Sequence, residues 1–224
     1  MLKYFSNIYN LYWKHKSFLP KKQYSCFGED LFVKTFFEND NEGFYVDVGS
    51  YHPFFWNNTY LLYKKNWNGI NIDANPLSTE LFNIARKDDY NFNLAVTNKK
   101  KNKIKLFYRR KMNVLNTTDE SFAKRNFPNG YESREIECLS LNNILAKTRF
   151  KNKIIDFLNI DVENTEKDVL DSLDFNIYKP RLICIEIHTD NIESLKNNPT
   201  FKFLNDKDYK VVWKKEYSYI FSNN

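Results

Sequence analysis

A chain of 224 residues that is 42% hydrophobic and 17% aromatic has the length and apolar content for a sizeable core, which excludes a disordered segment, a coiled coil and a disulfide-stapled mini-protein. Its formal charge of +6 raises the question of a nucleic-acid or membrane partner, but Lys, Asn, Ile, Phe and Tyr are abundant together, a bias that AT-rich codons produce without selection for binding. Cys26, Cys138 and Cys184 are odd in number and far apart, no apolar run approaches the roughly 18 residues of a membrane span, and the amino terminus lacks a signal peptide's apolar core; neither disulfides nor structural zinc are expected, and the expected setting is the reduced cytoplasm.

Residues 1–40 read as accessory helices ahead of one domain over 41–224. Tyr4 to Trp13 bring aromatics round at helical spacing and end in Lys14, His15 and Lys16. A helix packed on the domain is preferred, with an interfacial helix carrying a basic rim as the alternative. Ser25 to Asp30 is a loop into a second helix, Leu31 to Glu38, with acids in its first turn. Phe44 to Gly49 then forms a short buried strand, Asn57 to Lys65 a helix and Gly69 to Asp73 a second strand. Pro76 starts a helix bearing Leu77, Leu81, Phe82 and Ile84, and Phe92 to Val96 is a third strand. Such alternation predicts a parallel sheet with helices on both faces.

Lys103 to Tyr108 and Arg134 to Cys138 are strands flanking a polar stretch without periodicity, read as an insertion or substrate lid over about 98–138. A helix follows from Ser140 to Ala146 with Ser140 as its cap. Ile154 to Asp161 is a central strand, Lys167 to Leu173 a helix and Arg181 to His188 another strand. Tyr209 to Trp213 and Tyr217 to Phe221 form a close hairpin. Its pairing must be antiparallel, because parallel partners need a crossover of about a dozen residues.

In doubly wound sheets ligands bind outside the carboxyl ends of the strands. Here those ends carry Asp47, Asp73, Asn93, Asp161 with Glu163, and Glu186 with His188. The first turn, Gly49-Ser50-Tyr51-His52-Pro53, has one glycine where a dinucleotide fingerprint needs a second for the pyrophosphate. S-adenosylmethionine has no pyrophosphate, and its amino-acid end can meet backbone groups at Gly49 and Ser50. Asp73 follows Gly49 at about the spacing of an acid that takes ribose hydroxyls.

These residues sit in stretches that together resemble a known family, the FkbM-type methyltransferases among the S-adenosylmethionine-dependent enzymes. The stretches are Ser25 to Asp30 (SCFGED), Tyr45 to Pro53 (YVDVGSYHP), Asn57 to Tyr63 (NNTYLLY), Asn66 to Pro76 (NWNGINIDANP), Glu137 to Leu145 (ECLSLNNIL) and Ile155 to Leu170 (IDFLNIDVENTEKDVL). The resemblance implies an α/β Rossmann-like methyltransferase fold with a mostly parallel seven-stranded sheet, an antiparallel last strand and helices on both faces. It further implies transfer of a methyl group from S-adenosylmethionine to a hydroxyl of a sugar, glycan or other small molecule, in the manner of polysaccharide biosynthesis. Carried over by residue, Asp47, Gly49, Ser50 and Tyr51 belong to the cofactor turn, Asn58 and Thr59 to the helix start behind it, and Asp73 to the ribose. Asn93 is placed near the adenine, and Asp161 and Glu163 in the acidic motif facing the methyl donor. One departure is Asn164 where the family has glycine, which asparagine answers by tolerating a left-handed backbone.

A hydroxyl acceptor benefits from a general base. Asp161, Glu163, His52 and His188 are candidates, and His188 is preferred because imidazole accepts a proton near neutrality and shares a strand face with Glu186. The preferred reading needs no metal; its alternative places Mg²⁺ on Asp161, Glu163 and Glu186. Two rival functions remain. The basic runs at Lys99 to Lys103 and Arg109 to Lys111 suggest a nucleic-acid (RNA) methyltransferase, although no Asn-Pro-Pro-aromatic signature is present. The other rival is a catalytically lapsed cofactor-binding partner protein.

Overall fold

The computed structural model describes residues 2–18, 21–189 and 191–223. Ten strands follow one another: β1 Phe44–Val48, β2 Asn68–Asp73, β3 Tyr90–Asn93, β4 Ala95–Val96, β5 Lys103–Tyr108, β6 Glu132–Leu139, β7 Phe157–Ile160, β8 Leu182–Glu186, β9 Lys210–Lys215 and β10 Ser218–Ser222. Seven of them form the main sheet in the order β3-β2-β1-β7-β8-β10-β9. The first five are mutually parallel, and β10 runs antiparallel to both β8 and β9. This is the Rossmann-like arrangement expected from the sequence, with the terminal hairpin supplying the antiparallel pairings.

The central strands are buried on both faces and mostly apolar, interrupted by Asp47, Asn71 and Asn159. Val46 and Val48 point to one face with Ile70, Ile72, Leu158 and Ile160. That face is closed by α6 Leu141–Leu145, α7 Glu166–Asp171, α8 Phe175–Tyr178 and α10 Pro199–Asn205, which follow α1 Leu2–Ile8, α2 Glu29–Phe36, α3 Tyr60–Tyr63, α4 Pro76–Ala85 and α5 Glu120–Asn126, with α9 Ile192–Asn197 between α8 and α10. Tyr45 alternates to the other face and packs with Trp67, Phe157 and Leu182 under Val33 and Phe37 of α2 and Leu62 of α3. Asp47 shares Tyr45's side of the strand by the same alternation.

Four local expectations are corrected. The helix expected from Asn57 is one turn, Tyr60–Tyr63, because Trp56 adopts φ +49 and the Asn57 and Thr59 side chains bond to the core instead of capping. The strand expected over Phe92 to Val96 breaks at Leu94. Tyr90–Asn93 stays in the main sheet while Ala95–Val96 pairs with Cys138 and Leu139 in a small sheet ordered β4-β6-β5. The polar middle contains a helix that periodicity missed, α5, whose start is fixed by the Asp119 carboxylate accepting from the N–H groups of Ser121 and Phe122. Strand β8 ends at Glu186, so His188 lies just past it. No helix among the described residues is long and apolar enough to cross a membrane.

Candidate active site

A cavity of about 390 Å³ opens at the carboxyl ends of β1, β2, β7 and β8. At one end Gly49 turns at φ +82, and a Cβ there would collide with the Asp161 carbonyl, so only glycine lets β1 leave the sheet beside β7. The loop brings the Tyr51 N–H to Asp73 Oδ2 at 2.7 Å, while the Asn75 N–H donates to Asp73 Oδ1 at 2.7 Å and the Asn75 side chain caps α4. Each Asp73 oxygen keeps acceptor capacity toward the cavity. Burial pushes this carboxyl up to about 6, opposed by those two N–H bonds. Leu94, Val96 and Leu106 form the apolar wall beside it.

Behind this wall lies a closed polar network. Asp47 is fully buried and accepts from Thr59 Oγ1 at 2.9 Å, Asn57 Nδ2 at 3.1 Å and Asn159 Nδ2 at 2.8 Å. The equally buried Arg86 guanidinium donates to Thr59 Oγ1 at 2.8 Å, to Asn57 Oδ1 at 2.7 Å and to the Pro53 carbonyl. It also reaches the Tyr45 hydroxyl, which donates to Asp89. Asp89 in turn accepts from the Gly69 N–H and Asn71 Nδ2. One cation thus lies between two carboxylates and pins the segment from Pro53 to Thr59 against the sheet. His52 is part of the same loop. Its Nδ1 accepts from the Phe54 and Phe55 N–H groups and its Nε2–H donates to the Asn10 carbonyl, and burial, then the neighbouring His15, push its pKa down to about 3. Both nitrogens are engaged, so His52 is a fastening and has no free lone pair for proton transfer.

The opposite end of the cavity is the reverse. Glu163, Glu186 and His188 bring ligand-capable atoms within 4.8 Å of one another, with His188 Nε2 3.3 Å from Glu186 Oε2. Asp161 is pushed well up by burial and then by Glu186 and Glu163. Glu163 is pushed up to about 8 by burial, Glu186 and Glu166. The His188 pKa is raised, first by its bond to Glu186. Glu163 and Asn164 stand at φ +58 and +83, so Asn164 occupies a left-handed position as expected. The loop following β5 folds over this end: Thr117 Oγ1 donates to the Glu163 carbonyl at 2.6 Å, and Asn164 Nδ2 donates to Asp119.

Of the residues singled out from sequence, Gly49, Tyr51, Asn58, Asp73, Asp161, Glu163, Glu186 and His188 all line the cavity. Asp47, Ser50 and Thr59 are buried behind its wall; Asp47 and Thr59 hold the loop, and Ser50 bonds through its backbone. Asn93 is exposed and donates to the Asp73 carbonyl at 2.9 Å, outside the lining. Sequence reasoning missed Arg86, Asn57, Asp89 and Asn159. For Asn159 a signal existed, because it and Asn71 interrupt apolar strands at the positions that flank Asp47 in register.

A comparison with curated proteins finds no match. The family model described as Methyltransferase FkbM domain matches residues 47–211, a span from the end of β1 to the start of β9 that contains all four strand ends around the cavity; the chain belongs to the FkbM methyltransferase family.

Proposed function

We propose that this methyltransferase moves the methyl group of S-adenosylmethionine to a hydroxyl of an uncharged polyol, a sugar, glycan or comparable small molecule. The observation that carries this reading is the lining of the cavity. It holds Glu29, Asp73, Asp161, Glu163 and Glu186 and, among the described residues, no lysine or arginine, in a chain of net charge +6. A phosphorylated acceptor entering such a cavity would lose its hydration without meeting a cation, a penalty of several kcal/mol.

The residues present fit the donor. Asp73 offers acceptor lone pairs to ribose hydroxyls, Gly49 and Tyr51 offer backbone carbonyls at the turn, and Leu94 and Val96 offer apolar surface to a base. When bound, S-adenosylmethionine supplies a methyl carbon on a sulfonium, whose carbon–sulfur bond breaks as an acceptor oxygen attacks. The cavity walls hold the two reactants in line, an effect that accounts for about 7–11 kcal/mol in well-oriented reactions. His188 acts as general base. A neutral imidazole that donates Nε2–H to Glu186 accepts through Nδ1, and Glu186 stabilises the imidazolium that forms. The Glu163, Glu186 and His188 set is also chemically able to hold a divalent cation, but the base reading needs none. A His–Glu pair retained at the cavity favours a working enzyme over a lapsed binding partner.

Incubation with labelled methyl donor and a panel of neutral glycosides, nucleotide sugars and RNA oligonucleotides tests the reading. Label is expected on a neutral hydroxyl acceptor; transfer confined to nucleotide sugars or RNA would overturn it.

A further inference from the structure

The amino-terminal helix docks on the domain with one side only. Asn7 and Leu11 are buried; Asn7 donates to Glu80 of α4 at 2.9 Å, Lys3 pairs with the same carboxylate at 2.7 Å, and Leu11 packs with Phe54 and Leu81. The other side leaves Tyr4, Phe5, Tyr9 and Trp13 at 60, 63, 56 and 68% exposure, while the half-exposed Tyr12 stacks on Phe54 of the domain. Leaving four large rings largely in water forgoes the burial that would stabilise the chain, and exposed apolar rings gathered on one short helical segment mark an interaction surface. The segment is also strongly basic. Residues 1–28 contain Lys3, Lys14, Lys16, Lys21 and Lys22 and no Asp or Glu.

A second basic element adjoins it. Met112 packs in the same cluster as Leu11 and Leu81, and the Lys111 carbonyl accepts from Asn75 Nδ2 at 2.7 Å. The exposed run Arg109-Arg110-Lys111 is therefore held over the start of α4, beside the helix that carries the aromatic face. The chain continues from there into Asn113 to Thr118, which line the cavity.

We propose that this joint surface docks the protein on an anionic lipid bilayer, the four exposed rings entering the interfacial region and the lysines and arginines meeting lipid headgroup charge. Aromatic rings with a polar edge settle at the headgroup level, and a helix with an apolar face and basic flanks lies in the membrane plane. The mode suits a chain whose described helices do not span a bilayer. A second copy of the chain is disfavoured because the same cations would face each other, and an RNA strand because the adjoining cavity is lined by carboxylates.

Flotation of the full chain with vesicles of pure phosphatidylcholine and of phosphatidylcholine containing phosphatidylglycerol tests the proposal. Flotation is expected with the anionic vesicles alone and is expected to weaken with salt. It should fall by about tenfold or more in the triple variant Phe5→Ser/Tyr9→Ser/Trp13→Ser and in Lys14→Gln/Lys16→Gln/Arg109→Gln/Arg110→Gln. Both variants change exposed side chains, so melting temperature and donor binding should match the parent. Anionic vesicles should also blue-shift the tryptophan emission of the parent and not of Trp13→Phe. Absence of flotation, flotation that survives the triple substitution, dimerisation lost in that variant, or RNA binding through these residues without flotation would each overturn the proposal. The donor titration stands apart from all of these outcomes and tests the catalytic reading by itself.

Discussion

The network behind the cavity wall and the acidic cluster at the far end of the cavity are built from the same residue types and behave oppositely. Around Asp47 and Asp89, every carboxylate faces amide, hydroxyl or N–H donors and the Arg86 guanidinium lies between them. Around Asp161, Glu163 and Glu186, acids face one another across a space whose only basic partner in the lining is His188. In the closed network both carboxylates have their donors without a ligand, as a scaffold requires. The open cluster is left short of positive charge, which suits the proposed cationic donor and a base that takes up a proton.

Removing one member from the cluster and one from the network should separate these roles. His188→Ala should lower kcat by about 10²- to 10⁴-fold, the usual worth of a general base, while S-adenosylhomocysteine affinity in calorimetry stays within about twofold of the parent. Arg86→Leu should instead cost about 3–5 kcal/mol of stability, because it removes the cation lying between two buried carboxylates and the donor to the Pro53 carbonyl; urea denaturation measures it, and Arg86→Lys should recover little because an ammonium lacks the guanidinium fork.

Relieving the open cluster should have the opposite sign. Glu163 has a folded-state pKa raised to about 8, so it holds its proton in the folded chain where the unfolded chain has lost it, and its destabilising effect grows as pH rises from the ordinary glutamate range to about 8. Glu163→Gln should therefore add stability on the order of 1–2 kcal/mol at pH 8 and almost none at pH 4, read from melts at the two pH values. The smallest effect is a shift of profile. Glu186 raises the His188 pKa, so activity should climb with pH through a midpoint above the ordinary histidine value of about 6.5, and Glu186→Gln should move that climb to lower pH.

The same contrast explains what the sequence could reveal. The strands of the sheet were legible because buried parallel strands are written as continuous apolar runs, and Gly49, Asp73 and the Asp161 to Asn164 turn were legible because a strand end must change character where the cavity begins. The supports were not. Arg86 closes an ordinary amphipathic helix, and nothing near it in the chain shows that Thr59 and Asn57, 27 and 29 residues away, will accept its hydrogen bonds. Asn57 and Thr59 read as helix for the same reason, since their partner Asp47 lies on another element. The aromatic face of the amino-terminal helix was visible as a periodicity, but which side would dock depended on Leu11 meeting Phe54 and Leu81, a tertiary fact.

The account depends on the donor occupying the end of the cavity floored by Gly49 and Asp73. Calorimetric titration of the purified chain and of Asp73→Ala with S-adenosylhomocysteine is the direct measurement. One site per chain is predicted, with affinity reduced by about 10- to 100-fold in the variant, the range for losing hydrogen bonds to a charged group. No heat with the parent chain, or equal dissociation constants for the two proteins, would contradict it.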